Sequence, residues 1–299
     1  MNRSLNDNFL TNLKQGILTP LLDIIKIDST LDLQFRGNSL DVYYRGGVIL
    51  HVLENKIKQN YSFSVNKNYF EENKFNTIEE WIEKLPYIKQ SRDFHYKKKN
   101  TAEREFQQLI TRTNNYERTS NSSDFFITDM EYANIGQIDL VALEWNSNFR
   151  QKSKISSKFA FIEVKFGNSA VKGDSGLIDH LTDIKNFVEK KYDYENLVKD
   201  TLKIFQQKRE LGLFELGSNN NEVSITNLEY NKPYFIILLA DYKTKGSNLK
   251  DLISSIDESL YKNLDIRFAI SSFMGYGLYS ECLFTKEQVI SFLNIKEGY

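Results

Sequence analysis

Along the first 27 residues, Phe9, Leu10, Leu13, Ile17, Leu21, Leu22, Ile24 and Ile25 recur at helical spacing, and Pro20 predicts a bend in that amphipathic helix. The period then changes. LDLQF, LDVYY and VILHVL, separated by the turn segments RGNS and RGG, read as a β-meander over residues 31–65, with YSFSV as a fourth strand. TIEEWIEKL (77–85) predicts a short helix, with Thr77 and Glu80 forming a capping box and Pro86 ending it or starting the next segment. Residues 101–113 read as a further helix with Ala102, Phe106, Leu109 and Ile110 on one side.

From residue 124 the pattern is that of a sheet. DFFITDMEYA, IGQIDLVALEW and KFAFIEVKF are three strand-like runs, and the polar segment NSNFRQKSKISS between the last two reads as a loop. The Gly/Ser-rich stretch GNSAVKGDSG precedes helices expected at about 177–190 and 195–213. Residues 216–231 read as a loop, and PYFIILLADY (233–242) as a buried strand by its continuous apolar run. A helix at 247–262, strands at 264–272 and 276–284 and a closing helix at 286–296 complete the pattern. The order predicts an α/β fold: a mixed central sheet flanked by helices over residues 91–299, preceded by an N-terminal helix plus β-meander extension over residues 1–90.

Composition narrows the function classes. With 39 Lys+Arg against 40 Asp+Glu, the formal net charge is -1, so any nucleic-acid contact must come from a local patch. The run Lys97 to Lys99 is such a patch or a solvated charge run. Cys282 is the only cysteine, which excludes an intrachain disulfide and a Cys-based zinc site, and fits a reducing cytoplasm. The N-terminus lacks the apolar core of a secretory signal, and no apolar run is long enough to span a membrane.

The chemistry lies in FAFIEVKFG. Alternate strand residues share a face, so Phe161, Glu163 and Lys165 point one way and Ile162, Val164 and Phe166 the other. Burying an unpaired charge costs several kcal/mol, so an acid and a base on an apolar strand need compensation. Asp139, flanked by Ile138 and Leu140, lies on the preceding strand-like run. If the two strands pair, Asp139 and Glu163 converge at one end of the sheet. Two carboxylates about 4 Å apart repel by roughly 4 kcal/mol at an effective dielectric near 20, a penalty a divalent cation removes. The plainer alternative is a structural Glu–Lys pair and a solvent-facing Asp.

Asp139 followed by Glu163-Val164-Lys165, after an acid-bearing helix and before further helices, resembles the PD-(D/E)XK nuclease superfamily. The resemblance covers residues 100–285 as an order of elements and is tight around 135–167; Ile138 stands where the family usually has proline. It implies a restriction-endonuclease-like fold and a metal-dependent phosphodiester hydrolase acting on DNA. Asp139, Glu163 and the carbonyl of Val164 would bind Mg²⁺, with Mn²⁺ as a substitute, and Lys165 would contact water and phosphate. Glu103 on AEREFQQLI would be the additional helix acid, with Glu105 as runner-up, and Gln206 or Gln207 a later-helix glutamine. Replacing Glu163 or Lys165 by Ala is expected to abolish cleavage without unfolding the chain.

The other candidates are weaker. His180 and His51 read as packing histidines; His95 and Lys172 are possible phosphate contacts. Arg36, Tyr43, Tyr44 and Arg45, clustered near the meander's turns, are candidates for positioning a substrate or partner. A homodimer and a separate motor or partner chain stay open, as does a catalytically silent nucleic-acid-binding or protein-interaction module on the same fold. A host-defence role is suggested by analogy alone.

Overall fold

The computed structural model describes residues 2–55, 57–58, 60–98, 102–116, 123–132, 138–147, 154–166, 176–214, 224–240, 249–271, 278 and 283–297. The chain is mixed α/β and divides into two compact units. The first comprises Met1–Arg112 and Lys199–Glu215, the second Thr113–Val198 and Leu216–Tyr299. The expected boundary at 90/91 falls instead inside a helix, and a later helical segment returns to the first unit.

The first unit opens with α1 (Asp7–Gln15) and α2 (Thr19–Ile27). These are two helices rather than one bent helix. Gly16 ends α1, and Pro20 sits in the first turn of α2, where its missing N–H leaves no intrahelical bond unmade. Asn6 caps α1 by accepting from the Phe9 N–H at 2.8 Å. Five antiparallel strands follow in meander order: β1 (Leu31–Phe35), β2 (Ser39–Tyr44), β3 (Gly47–Asn55), β4 (Asn60–Ser64) and β5 (Lys74–Phe75).

α3 (Ile78–Lys98) runs through Pro86, where the sequence predicted an end or the start of a new segment. Burial overrides the lost hydrogen bond: Trp81 and Leu85 before the proline and Ile88 and Arg92 after it are all buried. Trp81 also donates to the Ile49 carbonyl at 3.0 Å. α4 (Ala102–Asn115) and α6 (Lys191–Glu210) each contribute residues to both units.

The β2–β3 turn is the tightest point of this unit. Arg45 and Gly46 both have positive φ, 49° and 70°. The Gly46 N–H donates to Gln108 Oε1 at 2.7 Å, and Gln108 Nε2 donates to the carbonyls of Tyr43 and Thr30. A Cβ on Gly46 would lie 2.4 Å from the Arg104 carbonyl carbon, so only glycine fits.

The second unit is built on a mixed sheet of order β10-β9-β8-β7-β6. β6 (Phe125–Tyr132), β7 (Ile138–Glu144) and β8 (Lys154–Phe166) pair antiparallel, whereas β9 (Ser224–Ala240) and β10 (Asp265–Ser271) run parallel to β8. β8 is therefore the central strand. Both β8 and β9 begin earlier than the apolar runs predicted, because their polar starts pair with each other, Ser156 with Asn227 and Lys158 with Glu229. The register then breaks between Lys158↔Glu229 and Ala160↔Tyr234, and Pro233, which cannot donate to a ladder, lies in that break.

α5 (Leu177–Glu189) turns Leu177, Leu181, Ile184 and Phe187 inward. Phe187 and Tyr194 of α6 meet Phe161 edge-on and tilted, with ring centroids 6.5 and 6.1 Å away. α7 (Leu249–Ser255), a 3₁₀ turn (Glu258–Tyr261) and α8 (Lys286–Glu297) complete the unit. The expected strand at 276–284 lies largely outside the described residues; Phe284 bridges to Phe268. On edge strand β6, Asn115 takes the place of a strand partner, donating to the Ile127 carbonyl and accepting from its N–H, both at 2.7 Å.

Replacing Gly46 by Ala should destabilise the protein by at least about 2 kcal/mol, combining left-handed strain with a backbone clash. Urea unfolding of the variant measures this, and a loss under half that value would show that the turn relaxes.

Candidate active site

The site is set by the alternation of β8. Phe159, Phe161, Glu163 and Lys165 share the face packed by aromatic side chains of α5 and α6, as the period of two requires. Glu163 is 2% exposed and Lys165 5%. Their charges meet directly: Lys165 Nζ donates to Glu163 Oε1 at 2.7 Å. The central position of β8 makes this a buried pair and not a strand-edge one.

Asp139 comes to the same place by register. The β7–β8 ladder pairs Leu140 with Ile162, and one further step sets Asp139 opposite Glu163. Opposed residues of an antiparallel pair share a face. The Val164 N–H donates to Asp139 Oδ2 at 2.8 Å, so the aspartate closes the end of the ladder with its side chain. A strand residue points its N–H and C=O toward the same neighbour, which turns the Val164 carbonyl toward the Asp139 side.

Three further side chains are placed by the structure: His180, which read as a packing histidine, and two acids of β6 that the sequence reading did not single out. His180, in the first turn of α5, places Nε2 3.3 Å from Glu163 Oε1, on the oxygen that Lys165 already holds. Its place among the apolar residues of α5 suggested packing; only the pairing of helix with strand reveals the contact. Asp129 and Glu131 of β6 are the others. Asp129 pairs with Val141, and the register sets Glu131 opposite Asp139. Glu131 has φ 53°, a conformation that side chains with a Cβ rarely adopt. The β6 acids were hidden in sequence by a bulge at Ile127/Asp129 that resets the alternation.

Other predicted residues go elsewhere. Glu103 lies on α4 in the first unit and is exposed, whereas Asp139, Glu163 and Lys165 lie in the second unit. Glu105 is engaged by Arg45 Nε at 2.6 Å. Gln206 is exposed, and Gln207 is structural: it accepts from the Leu5 N–H and donates to the Leu5 carbonyl. The proposed docking residues of the meander are turned to internal work. Arg36 pairs with Asp41 at 3.0 Å and donates to the Tyr43 hydroxyl, and Arg45 bridges Asp93 and Glu105. His51 contacts Asp41 at 2.7 Å, and the His95 ring meets the edge of Tyr69. Lys99, Lys172, Cys282 and the side chains of Lys97 and Lys98 lie outside the described residues.

The donor set fits a hard divalent ion of modest demands. Among the described residues no three His, Cys, Asp or Glu side chains are grouped to cage a metal. Mg²⁺ needs no such cage, taking one or two carboxylates and completing its shell with water. Asp139 and Glu163 would be those two. Around the site, burial pushes the Tyr194 hydroxyl far above its ordinary range, so it stays a proton donor to the Tyr230 carbonyl at 2.7 Å.

The buried pair gives a substitution at either position a stability cost as well. Removing one partner strands the other charge, whereas replacing both is far milder. Lys165→Met alone should cost about 3 kcal/mol, and the double variant Glu163→Gln/Lys165→Met less than half of that. Denaturant unfolding of both variants checks this; equal losses would mean that the two charges are not coupled.

Comparison with family models, curated proteins and solved structures finds no match, so the site is interpreted from its own geometry.

Proposed function

We propose that the second unit is a divalent-metal-dependent nuclease that hydrolyses phosphodiester bonds in DNA, on a restriction-endonuclease-like fold. The observation that carries this reading is the register that sets Asp139 opposite Glu163 at the end of the β7–β8 ladder, with Lys165 on the Glu163 carboxylate. Asp139, Glu163 and the Val164 carbonyl would hold the ion. The bound ion supplies a lowered water pKa and neutralises charge on the phosphate oxygens.

The protein's own groups do the rest. Asp139 is oriented by the Val164 N–H, which fixes its carboxylate against the strand end. Lys165, anchored on a central strand, carries a charge-assisted donor that can leave Glu163 for a phosphate oxygen as negative charge builds there. The aromatic packing of Phe161 against Phe187 and Tyr194 holds the strand rigid beneath these groups.

The burial of Glu163 supports a second reading, a silent nucleic-acid-binding module in which Glu163 and Lys165 serve only stability. Cleavage separates the two. Incubated with plasmid, linear and single-stranded DNA, the wild-type protein should cut at least one substrate with Mg²⁺ or Mn²⁺ and none with chelator. Asp139→Asn should lower the rate by 10²-fold or more. Absence of metal-dependent cleavage on all substrates, with DNA binding retained, would establish the silent module instead.

A further inference from the structure

We propose that a pocket on the outer face of α3, within the first unit, binds an unpaired nucleobase, presented by a single-stranded segment of DNA or by a free nucleotide. This goes beyond the catalytic reading: it adds a recognition site, and its test needs neither metal nor cleavage.

The helix builds one wall. Trp81, Leu85, Ile88 and Arg92 are buried, so α3 turns Tyr87, Gln90 and Phe94 the other way, at the i, i+3, i+7 spacing of one helix face. Tyr87 is 57% exposed and Phe94 61%. Asn68 stands on the loop after β4. That loop is wound around Asn66, whose side chain accepts from the Asn68 N–H at 2.9 Å and whose carbonyl accepts from the Tyr69 N–H at 2.8 Å. Tyr69 is buried and anchors the loop to the helix, its ring centroid 5.5 Å from that of His95 in a T-shaped contact. Loop and helix together enclose a cavity of about 410 Å³ lined by Asn68, Gln90, Ser91, Phe94 and His95. Small-molecule sites span roughly 300–1,000 Å³.

The lining chemistry selects the occupant. It holds no carboxylate, ammonium or guanidinium, so its specificity is not for a fixed charge. It holds two carboxamides and a hydroxyl beside an exposed phenyl ring. A carboxamide presents a donor and an acceptor side by side, the pattern found on the edge of a base. An aromatic face stacks on any base. A flat polar heteroaromatic ring meets both demands at once, and a base offers its faces to a side chain only when it has left the duplex stack. Tyr87 lies two turns before Phe94, about 10.5 Å along the helix axis, and offers a second ring to a neighbouring nucleotide, which favours a strand over a mononucleotide.

The test uses the full-length chain in chelator. A short labelled single-stranded oligodeoxynucleotide is titrated by fluorescence anisotropy against the same strand with abasic positions, and deoxyadenosine is titrated by calorimetry. The base-bearing strand should bind at least about fivefold more tightly than the abasic one. Phe94→Ala should remove that advantage and Phe94→Tyr keep it, whereas Tyr192→Ala, at an exposed ring of the second unit, should leave it unchanged. Phe94 is exposed, so truncating it spares the core. Deoxyadenosine binding as tightly as the strand would assign the pocket to a free nucleotide, and weaker binding would assign it to a strand; both uphold base recognition. Equal binding of base-bearing and abasic strands, or an advantage that survives Phe94→Ala, overturns the proposal, and neither result touches the metal-dependent reading of the second unit.

Discussion

The second unit depends on one constraint: β8 carries an acid and a base on a face that packing removes from water. Each charge alone would cost several kcal/mol there, and the Lys165–Glu163 hydrogen bond at 2.7 Å makes the burial tolerable without making it favourable. A hydrophobic pair of similar volume would stabilise the fold at least as well. The rest of the arrangement serves to hold the pair in place. β7 and β9 flank β8 on both sides, Tyr194 locks into the Tyr230 carbonyl, and Asp139 seals the open end of the ladder through the Val164 N–H.

Much of this was legible in the sequence, because a period of two is a strong constraint. FAFIEVKFG could only put Glu163 and Lys165 on one face, and Asp139 in IGQIDLVALEW could only stand opposite them if its strand paired with theirs, which it does, antiparallel. The meander was equally legible from its Gly-containing turns. What failed did so for identifiable reasons. Pro86 reads as a break between two segments because local propensity ignores Trp81, Leu85, Ile88 and Arg92, whose burial carries α3 through it. The polar start of β9 looked like a loop because its pairing partner, the polar start of β8, looked like one too.

Site residues divide along the same line. Side chains on one strand could be placed from the sequence; those brought in by tertiary pairing could not. His180 stands in an apolar helix face, and no spacing rule ties it to Glu163. Gln207 shows the converse: a plausible later-helix glutamine proves to be spent on the Leu5 backbone, with Asp200 accepting from the neighbouring Arg3 and Ser4 N–H groups. Arg36 and Arg45 likewise looked available near their turns and are consumed by Asp41, Asp93 and Glu105. Exposed position in a sequence pattern says nothing about whether a cation's donors are already taken.

On the proposed reading, the Lys165–Glu163 pair also links ion and substrate. Lys165 is 5% exposed, and its stability rests on the Glu163 carboxylate. A divalent ion claiming that oxygen leaves the ammonium in a dry environment with its counter-charge shared, which raises its demand for another anion. A phosphodiester offers one at the place where the ion also needs oxygen ligands. Ion and phosphate should therefore bind with positive cooperativity, each relieving the cost the other creates, and by linkage the coupling must be equal in both directions. Under that reading the buried carboxylate held by a lysine would be a resting state, one cation keeping the charge paired until another took its place.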